Sequence, residues 1–265
     1  MGRSGRTAPA FRFAAESRTI SKGGILMKSM RVRAAAAAAF LGVFFSAVPL
    51  SAQWTFQADT VSKYIWRGFD LYADNNPAFQ PSVTYTFGES GFSLNLWTSF
   101  ALGERSIYKY DDEIDLTLAY DFQLSENFDL SVGFTHYGWY FDREFSLKNS
   151  TSQEFFVAAG LPQVFLEPSL TIYYDVAMGS GLYALLKGGH TISLSETIDL
   201  AFSAGLGYNS RQFTDESGLS DLTIGLNLPI KLGEWTIAPM INYTFVFLAS
   251  VNPDNELWFC LTIVR

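Results

Sequence analysis

The segment Asp111-Asp112-Glu113-Ile114-Asp115-Leu116-Thr117-Leu118-Ala119-Tyr120-Asp121-Phe122 decides the fold of this chain. From Ile114 to Phe122 the even-numbered residues are apolar, whereas the odd-numbered residues from Asp115 to Asp121 are small or acidic. An extended strand places alternate side chains on opposite faces, and a helix would scatter the same residues around all its sides. The second face of a soluble sheet would carry long charged side chains of both signs. The segment therefore predicts a strand with one apolar face and one narrow, acidic face.

The same alternation recurs along the chain after residue 52. Counting the alternating segments gives twelve predicted strands, at 54–68, 78–88, 91–101, 112–122, 126–136, 152–160, 164–176, 181–193, 196–208, 218–231, 234–247 and 255–265. Their length of about 10 residues matches the ~9–11 residues that a tilted strand needs to cross a bilayer. We therefore predict an all-β fold, a transmembrane antiparallel β-barrel of about 12 strands.

The connections between these segments give an independent indication. The odd-numbered gaps are mostly long, and the even-numbered gaps are short and carry turn residues, such as Glu89-Ser90 and Leu232-Gly233. The seventh gap, Met178-Gly179-Ser180, is a short exception. Short periplasmic turns and longer extracellular loops are the layout of outer-membrane barrels, and a soluble β-sandwich, the alternative, has no reason to alternate in this way. Pro168 and Pro239 fall inside predicted strands and indicate bulges or positions near a rim.

The composition excludes several function classes. Of the 265 residues, 48% are hydrophobic and 17% are charged, which excludes intrinsic disorder. Outside the N-terminal region no apolar run reaches the ~20 residues of a spanning helix, which excludes a helical multispanning protein. The net charge of −8 argues against a nucleic-acid-binding protein. Because the chain has one cysteine, Cys260, and two histidines, His136 and His190, we expect no catalytic residue, metal site or cofactor.

Residues 27–52 have the order of an export signal. Basic residues at 28, 31 and 33 precede an apolar stretch that ends in the small residues Ser51-Ala52. We therefore predict a signal peptide at 27–52, preceded by a non-native upstream extension at 1–26 and followed by a single barrel domain at 53–265. An N-terminal membrane anchor is the alternative. Removing residues 1–52 takes away eight basic residues and one acidic residue, which leaves ten basic residues, 25 acidic residues and a formal charge of −15.

Charged residues recur on the face of the predicted strands that would line a lumen. The pore-lining candidates are Lys63, Arg67, Asp115, Asp121, Asp129, Glu167, Asp175, Lys187, Asp199 and Asp221. Lys63 and Arg67 would share one face of the first strand, with Asp115 and Asp121 as their partners. Because buried charges need partners or water, the set predicts either a salt-bridge plug or a charged constriction that selects solutes. Since acids are in excess, a pore would favour cations.

Aromatic residues recur where the predicted strands meet loops. The candidates for an interfacial belt are Trp54, Trp66, Trp97, Trp139, Trp235 and Trp258. Amphipathic rings prefer the headgroup region of a membrane, although aromatic residues are common in strands of any sheet. Their collective excess favours two aromatic girdles.

Four segments of the chain carry a family signature. They are Ser62-Lys63-Tyr64-Ile65-Trp66-Arg67-Gly68, Asn76-Pro77-Ala78-Phe79-Gln80-Pro81-Ser82, Gly91-Phe92-Ser93-Leu94-Asn95-Leu96-Trp97-Thr98-Ser99, and Glu113-Ile114-Asp115-Leu116 followed by Ala119-Tyr120. In this order they resemble the Gcw-chp proteins, also described as TorF-type porin proteins, most strongly over 58–122. The resemblance implies an outer-membrane β-barrel, a porin, in a family with little established function, and it implies no catalytic residues.

These features together predict an outer-membrane, porin-like channel for passive diffusion of small solutes or ions, with a preference for cations. We expect it to lie in the bacterial cell outer membrane and to have as partners the outer-membrane lipids, the barrel-assembly machinery and small solutes or ions, but not nucleic acid. Barrels of this kind usually end in an aromatic residue that the insertion machinery reads, whereas this chain ends in Ile263-Val264-Arg265.

Two other functions stay open. One is a plugged structural or adhesin barrel that binds a partner through extracellular loops such as 137–151. The other is a barrel enzyme acting on lipids, which would need a serine nucleophile beside His136 or His190. Neither histidine lies in a recognisable serine motif, so we expect the protein not to be an enzyme.

Overall fold

The computed structural model describes residues 53–73, 75–108, 111–139 and 151–265. The predicted extension at 1–26 and the predicted signal peptide at 27–52 lie outside these residues, as does most of the predicted loop 137–151. The described elements are β1 (Gln53–Val61), β2 (Ile65–Trp66), β3 (Phe69–Asp70), β4 (Ala78–Thr86), β5 (Phe92–Ala101), α1 (Arg105–Tyr108), β6 (Glu113–Ser125), β7 (Phe128–Trp139), β8 (Thr151–Gly160), β9 (Ser169–Asp175), β10 (Leu182–Ser193), β11 (Asp199–Ser210), β12 (Ser217–Asn227), β13 (Ile230–Leu232), β14 (Trp235–Val246) and β15 (Glu256–Val264). In this part of the chain no helix has the length and apolar character needed to cross a membrane.

Twelve of the fifteen described strands form one closed antiparallel sheet. Each strand from β4 to β12 pairs with the next in chain order, β12 pairs with β14, and β14 pairs with β15. The first strand, β1, pairs with β4 on one side and with β15 on the other, where Gln57 lies opposite Val264. The short strand β13 runs along β14, and β2 and β3 form a separate hairpin. The predicted 12-stranded antiparallel barrel is confirmed, and its closure leaves no unpaired sheet edge.

The alternating pattern places most strands within a few residues of their observed bounds. The first predicted strand, 54–68, is wrong at its end, because β1 stops at Val61 and the following residues leave the sheet. The seventh, 164–176, starts too early, because β9 begins only after the connection 161–168. Pro168 ends that connection, whereas Pro239 lies inside β14 opposite the break between β12 and β13, where its carbonyl accepts a hydrogen bond from the Leu228 amide (3.0 Å).

Successive connections lie at opposite ends of the barrel. At one end, the loop end, lie the described residues of the connections 62–77 and 102–112, the last residue of β7, the first residue of β8, and the connections 176–181, 211–216 and 247–255. At the other, the turn end, lie 87–91, 126–127, 161–168, 194–198 and 228–234, together with the first residue of β1 and the last of β15. The predicted difference in length holds at the turn-end connections 87–91, 126–127 and 194–198, whereas 161–168 and 228–234 are longer than the loop-end connections 176–181 and 211–216.

The outward face of the barrel is apolar and exposed. On β6 the outward residues Leu116 and Leu118 are 44% and 46% exposed, and the same rows continue around the wall. Examples on other strands are Val132, Phe155, Val157, Leu170, Ile172, Leu186, Phe202, Ile224, Leu226, Ile241, Leu257, Phe259 and Leu261. Water would penalise so large an exposed apolar surface, whereas lipid chains would cover it without cost.

The inward face is buried at the loop end and open at the turn end. Along β6, Glu113 and Asp115 are 2% and 8% exposed, Thr117 and Ala119 are half-buried, and Asp121 is exposed. The same gradient runs along β10, from buried Tyr183 to exposed Lys187. Other residues of the chain therefore fill the loop half of the barrel interior, whereas the turn half is accessible.

Candidate functional site

The interior is filled by an internal hairpin, which we define as the connection 62–77 between β1 and β4. Strands β2 and β3 form its arms, with Trp66 opposite Phe69, and Arg67-Gly68 form its two-residue turn. Both turn residues have positive φ angles, 51° for Arg67 and 86° for Gly68, as in the turns that suit tight hairpins. A Cβ atom at Gly68 would lie 3.0 Å from Val251 Cγ1 and 3.1 Å from Asp221 Cβ, so this position requires glycine for its backbone and for its surroundings.

The start of the hairpin is held to β15 and β6. Ser62 exchanges two hydrogen bonds of 2.9 Å with the backbone of Phe259, and Lys63 forms an ion pair with Glu256. The Tyr64 hydroxyl donates to Glu113 Oε2 (2.9 Å). Burial raises the pKa of Tyr64 well above its ordinary value, and the nearby Glu113 carboxylate adds to this effect, so Tyr64 keeps its proton.

The hairpin also forms an apolar core inside the barrel. Tyr64 packs on Tyr72 and Trp97, with ring centroids 5.4 and 5.6 Å away, and this cluster includes buried Val61 and Ala78. A 12-stranded barrel is wider than the eight-stranded barrels that wall side chains alone can fill. The hairpin supplies the side chains that fill this one.

Arg67 lies at the centre of the interior, in what we call the guanidinium cage. Its two terminal nitrogens contact both carboxylate oxygens of Glu154 (2.6 and 2.7 Å), and Nη1 also donates to Gln212 Oε1 (2.5 Å). The guanidinium carbon lies 4.1 Å from the ring centroid of Tyr173 and 4.8 Å from that of Tyr183. We define the cage by these four wall residues, Glu154, Tyr173, Tyr183 and Gln212, which come from β8, β9, β10 and the connection after β11.

These contacts correct the predicted partners of the two basic residues. Lys63 and Arg67 do not share a face of β1, because both lie in the hairpin, and they pair with Glu256 and Glu154. Asp115 lies on the inward face of β6 near Tyr64 and Glu113, whereas Asp121 lies near the open turn end. The alternation could have indicated Glu154, which shares a strand face with Ser152 and Phe156, but it carries no signal for Gln212.

The other predicted pore-lining residues divide between the two ends. At the loop end, Asp175 accepts hydrogen bonds from Ser152 and from three backbone amides of its own loop, and Asp221 accepts from the Tyr183 hydroxyl (3.0 Å). At or near the turn end lie Asp129, Glu167, Lys187 and Asp199, of which Asp199 pairs with Lys231 (2.8 Å).

The predicted aromatic belt is corrected for four of its six members. Trp54 and Trp235 are exposed on the outward face. Trp66 instead packs inside the barrel on Tyr137 and Phe213, and Trp97 and Trp258 pack against the core around Tyr64. Trp139 stacks on Tyr137 in the inward row of β7. The interior hairpin offers these rings apolar neighbours, which a water-filled lumen would not.

The two histidines lie apart from the interior cluster. His136 is paired opposite Gln153, whose Nε2 lies 3.3 Å from His136 Nδ1, on the outward row of β7. His190 contacts the ring of Phe165 near the turn end. In the described part of the chain no group of three or more His, Cys, Asp or Glu residues is arranged to hold a metal ion.

The profile of the family described as "Bacterial protein of unknown function (Gcw_chp)" matches residues 49–246. The chain belongs to this family, as the four sequence segments predict. No curated protein matches the sequence.

Solved outer-membrane barrels have a similar fold. The KdgM porin has a TM-score of 0.50 and 10% identity, over 80% of this chain and 98% of its own. LpxR from Salmonella typhimurium has a TM-score of 0.50 and 6% identity, over 79% and 99%. The NanC porin has a TM-score of 0.47 and 11% identity, over 80% and 98%. At identities this low, the likeness to the KdgM porin and LpxR shows a shared fold alone.

Proposed function

We propose that this member of the Gcw_chp family is an outer-membrane channel through which small solutes or ions diffuse passively, with a preference for cations. In this proposal the protein is exported to the bacterial outer membrane, its apolar belt contacts the lipids, and it is not an enzyme. The internal hairpin is the constriction of the pathway. The likeness to the KdgM porin supports the channel, and the chemistry of the interior supports the cation preference.

The excess of buried acids carries this proposal. Seven acidic residues are buried among the described residues: Asp112, Glu113, Asp115, Glu154, Asp175, Asp221 and Glu256. The basic side chains that pair with them are those of Lys63, Arg67 and Arg105. Ionised carboxylates inside low-dielectric walls attract cations and repel anions.

The way the hairpin is held supports a constriction that permits passage. Its first half is attached to the wall through hydrogen bonds and ion pairs of Ser62, Lys63, Tyr64 and Arg67. Below the hairpin, the inward face of the turn half is accessible, so a hydrated ion has room on that side.

Single-channel recording tests the proposal. The purified protein, with its fold checked by heat-shifted gel migration, is inserted into a planar bilayer under a salt gradient. We expect conductance steps and a reversal potential that indicates cation preference. Asp221→Asn should reduce that preference, whereas Glu126→Gln, which neutralises an exposed turn residue, is the control. Steps with anion preference would contradict the charge argument.

A plugged structural barrel is the second candidate, favoured by the apolar core that the hairpin forms inside the wall. The register allows a direct test, because Val61 lies opposite Ala78 and a two-residue Asn-Gly turn can join them in place of residues 62–77. A wild-type barrel that is folded but silent, together with a hairpin-deleted barrel that conducts, would establish the plug. Larger steps after deletion of the hairpin from a conducting wild-type barrel would establish the constriction.

A further inference from the structure

We propose that the guanidinium cage is a binding site for solutes that carry a guanidinium group, and that Arg67 occupies it as a tethered ligand. The cage consists of Glu154, Tyr173, Tyr183 and Gln212, all of which belong to the barrel wall and its loops. Only its occupant belongs to the hairpin. The inference deepens the proposed channel function, on which it rests for the route by which a solute reaches the cage.

The chemistry of the cage matches a planar cation with several N–H donors. Glu154 offers both oxygens to two nitrogens at once, the bidentate geometry that a guanidinium fork matches and an ammonium does not. Gln212 adds a third acceptor, and the faces of two tyrosines provide cation–π contacts. Glu154 and Gln212, which supply the three acceptors, are almost completely buried, so these acceptors are not satisfied by bulk water.

The wall residues of the cage hold one another in place without the hairpin. Tyr137 donates to Glu154 Oε1 (2.8 Å), and the Gln212 side chain donates to Glu154 Oε2 (2.7 Å). The backbone amide and carbonyl of Gln212 each form a hydrogen bond with the side chain of Asn209. The Tyr183 hydroxyl donates to Asp221. The site therefore stays preorganised when its occupant leaves, which lowers the entropic cost of binding a free ligand.

The tether explains why a free ligand competes weakly while Arg67 is present and binds more tightly once Arg67 is removed. A side chain on a short anchored hairpin has an effective concentration on the order of millimolar or above at its own site. Arg67→Ala leaves a buried carboxylate and a cavity of the shape of a guanidinium group. Arg67→Gly leaves the same cavity and also relieves the positive φ angle at this position, so it preserves the turn where the alanine variant fails to fold.

Calorimetric titration of the full-length variants in detergent tests the inference without requiring conduction. We expect methylguanidinium to bind Arg67→Ala at least about ten-fold more tightly than it binds the control Arg105→Ala. Arg105 also forms a two-point pair, with Asp112, but its side chain is half-exposed and lies outside the cage. Methylammonium should bind the Arg67 variants more weakly, and adding Glu154→Gln should abolish methylguanidinium binding.

Two results would overturn the inference. One is equal binding of methylguanidinium to the Arg67 and Arg105 variants, because the cage would then serve only to anchor its own hairpin. The other is tight binding that persists in Arg67→Gly/Glu154→Gln, because the ligand would then lie elsewhere. A silent bilayer with intact binding would refute the channel and leave the site, so the two proposals fail separately.

Discussion

The ion pair between the hairpin and the wall gives a prediction about stability. Glu154 is fully buried and accepts hydrogen bonds from Arg67, Tyr137 and Gln212. Glu154→Leu leaves a buried guanidinium without a counter-ion and two neutral donors without an acceptor. Removing one partner of a buried ion pair costs about 3–5 kcal/mol, so we expect the free energy of unfolding to fall by about that amount.

Removing both charges should cost less than removing one. Replacing a buried pair by apolar side chains of similar volume is often nearly neutral, since neither charge is left without a partner. We therefore expect Arg67→Met/Glu154→Leu to be more stable than Glu154→Leu alone. The control is Lys231→Met, which breaks the ion pair with Asp199 at the surface and should cost about 0.2–1 kcal/mol.

The measurement is urea unfolding of the purified protein in lipid vesicles, followed by tryptophan fluorescence. Urea is the appropriate denaturant, because guanidinium ions are themselves expected to bind the cage. The reasoning would be refuted if the free energy of unfolding that the double variant loses equalled the sum of the losses of Arg67→Met and Glu154→Leu measured singly. The two residues would then act independently.

Three further predictions concern the turn, the tryptophans and one loop. Gly68→Ala should cost about 1–3 kcal/mol in urea unfolding, because its φ of 86° and its contacts with Asp221 and Val251 disfavour a Cβ atom; an equally stable variant would contradict this. Brominated lipids should quench Trp54 and Trp235, each measured as the single remaining tryptophan, whereas Trp97 or Trp258 should stay unquenched; equal quenching would contradict their interior positions. Asp175→Ala should accelerate amide exchange at Ala177 and Gly179, which lose their acceptor, but not at Leu206 in the wall; unchanged exchange would contradict the assigned bonds.

Period-two patterning predicts the barrel because burial acts on each strand separately. A residue such as Leu116 or Leu118 faces outward whatever its partners are, so the local sequence is sufficient. The same local signal fails after Val61. Residues 62–68 include the aromatic and β-branched types that suit a strand, and the same types also suit a short hairpin packed inside a barrel. The turn residues Arg67-Gly68 are the one local indication of the change.

The partners inside the barrel follow from closure and cannot be read from any single segment. Lys63 reaches Glu256 because β1 lies beside β15, and Arg67 reaches Glu154 because the hairpin crosses the lumen. Both pairs join residues far apart in sequence. The alternation predicts that inward acids exist, but the choice among them depends on the tilt and register of the completed sheet.

The pairing of β1 with β15 also determines when the hairpin can fill the interior during assembly of the barrel. The hairpin follows the first strand, yet it contacts β6, β8, β12 and β15, and its lysine needs an acid from the last strand. The hairpin is therefore synthesised early, whereas Glu256, its partner on the last strand, is synthesised late. The hairpin can make all of its contacts only after β1 has paired with β15. A fully docked hairpin therefore indicates that the barrel has closed.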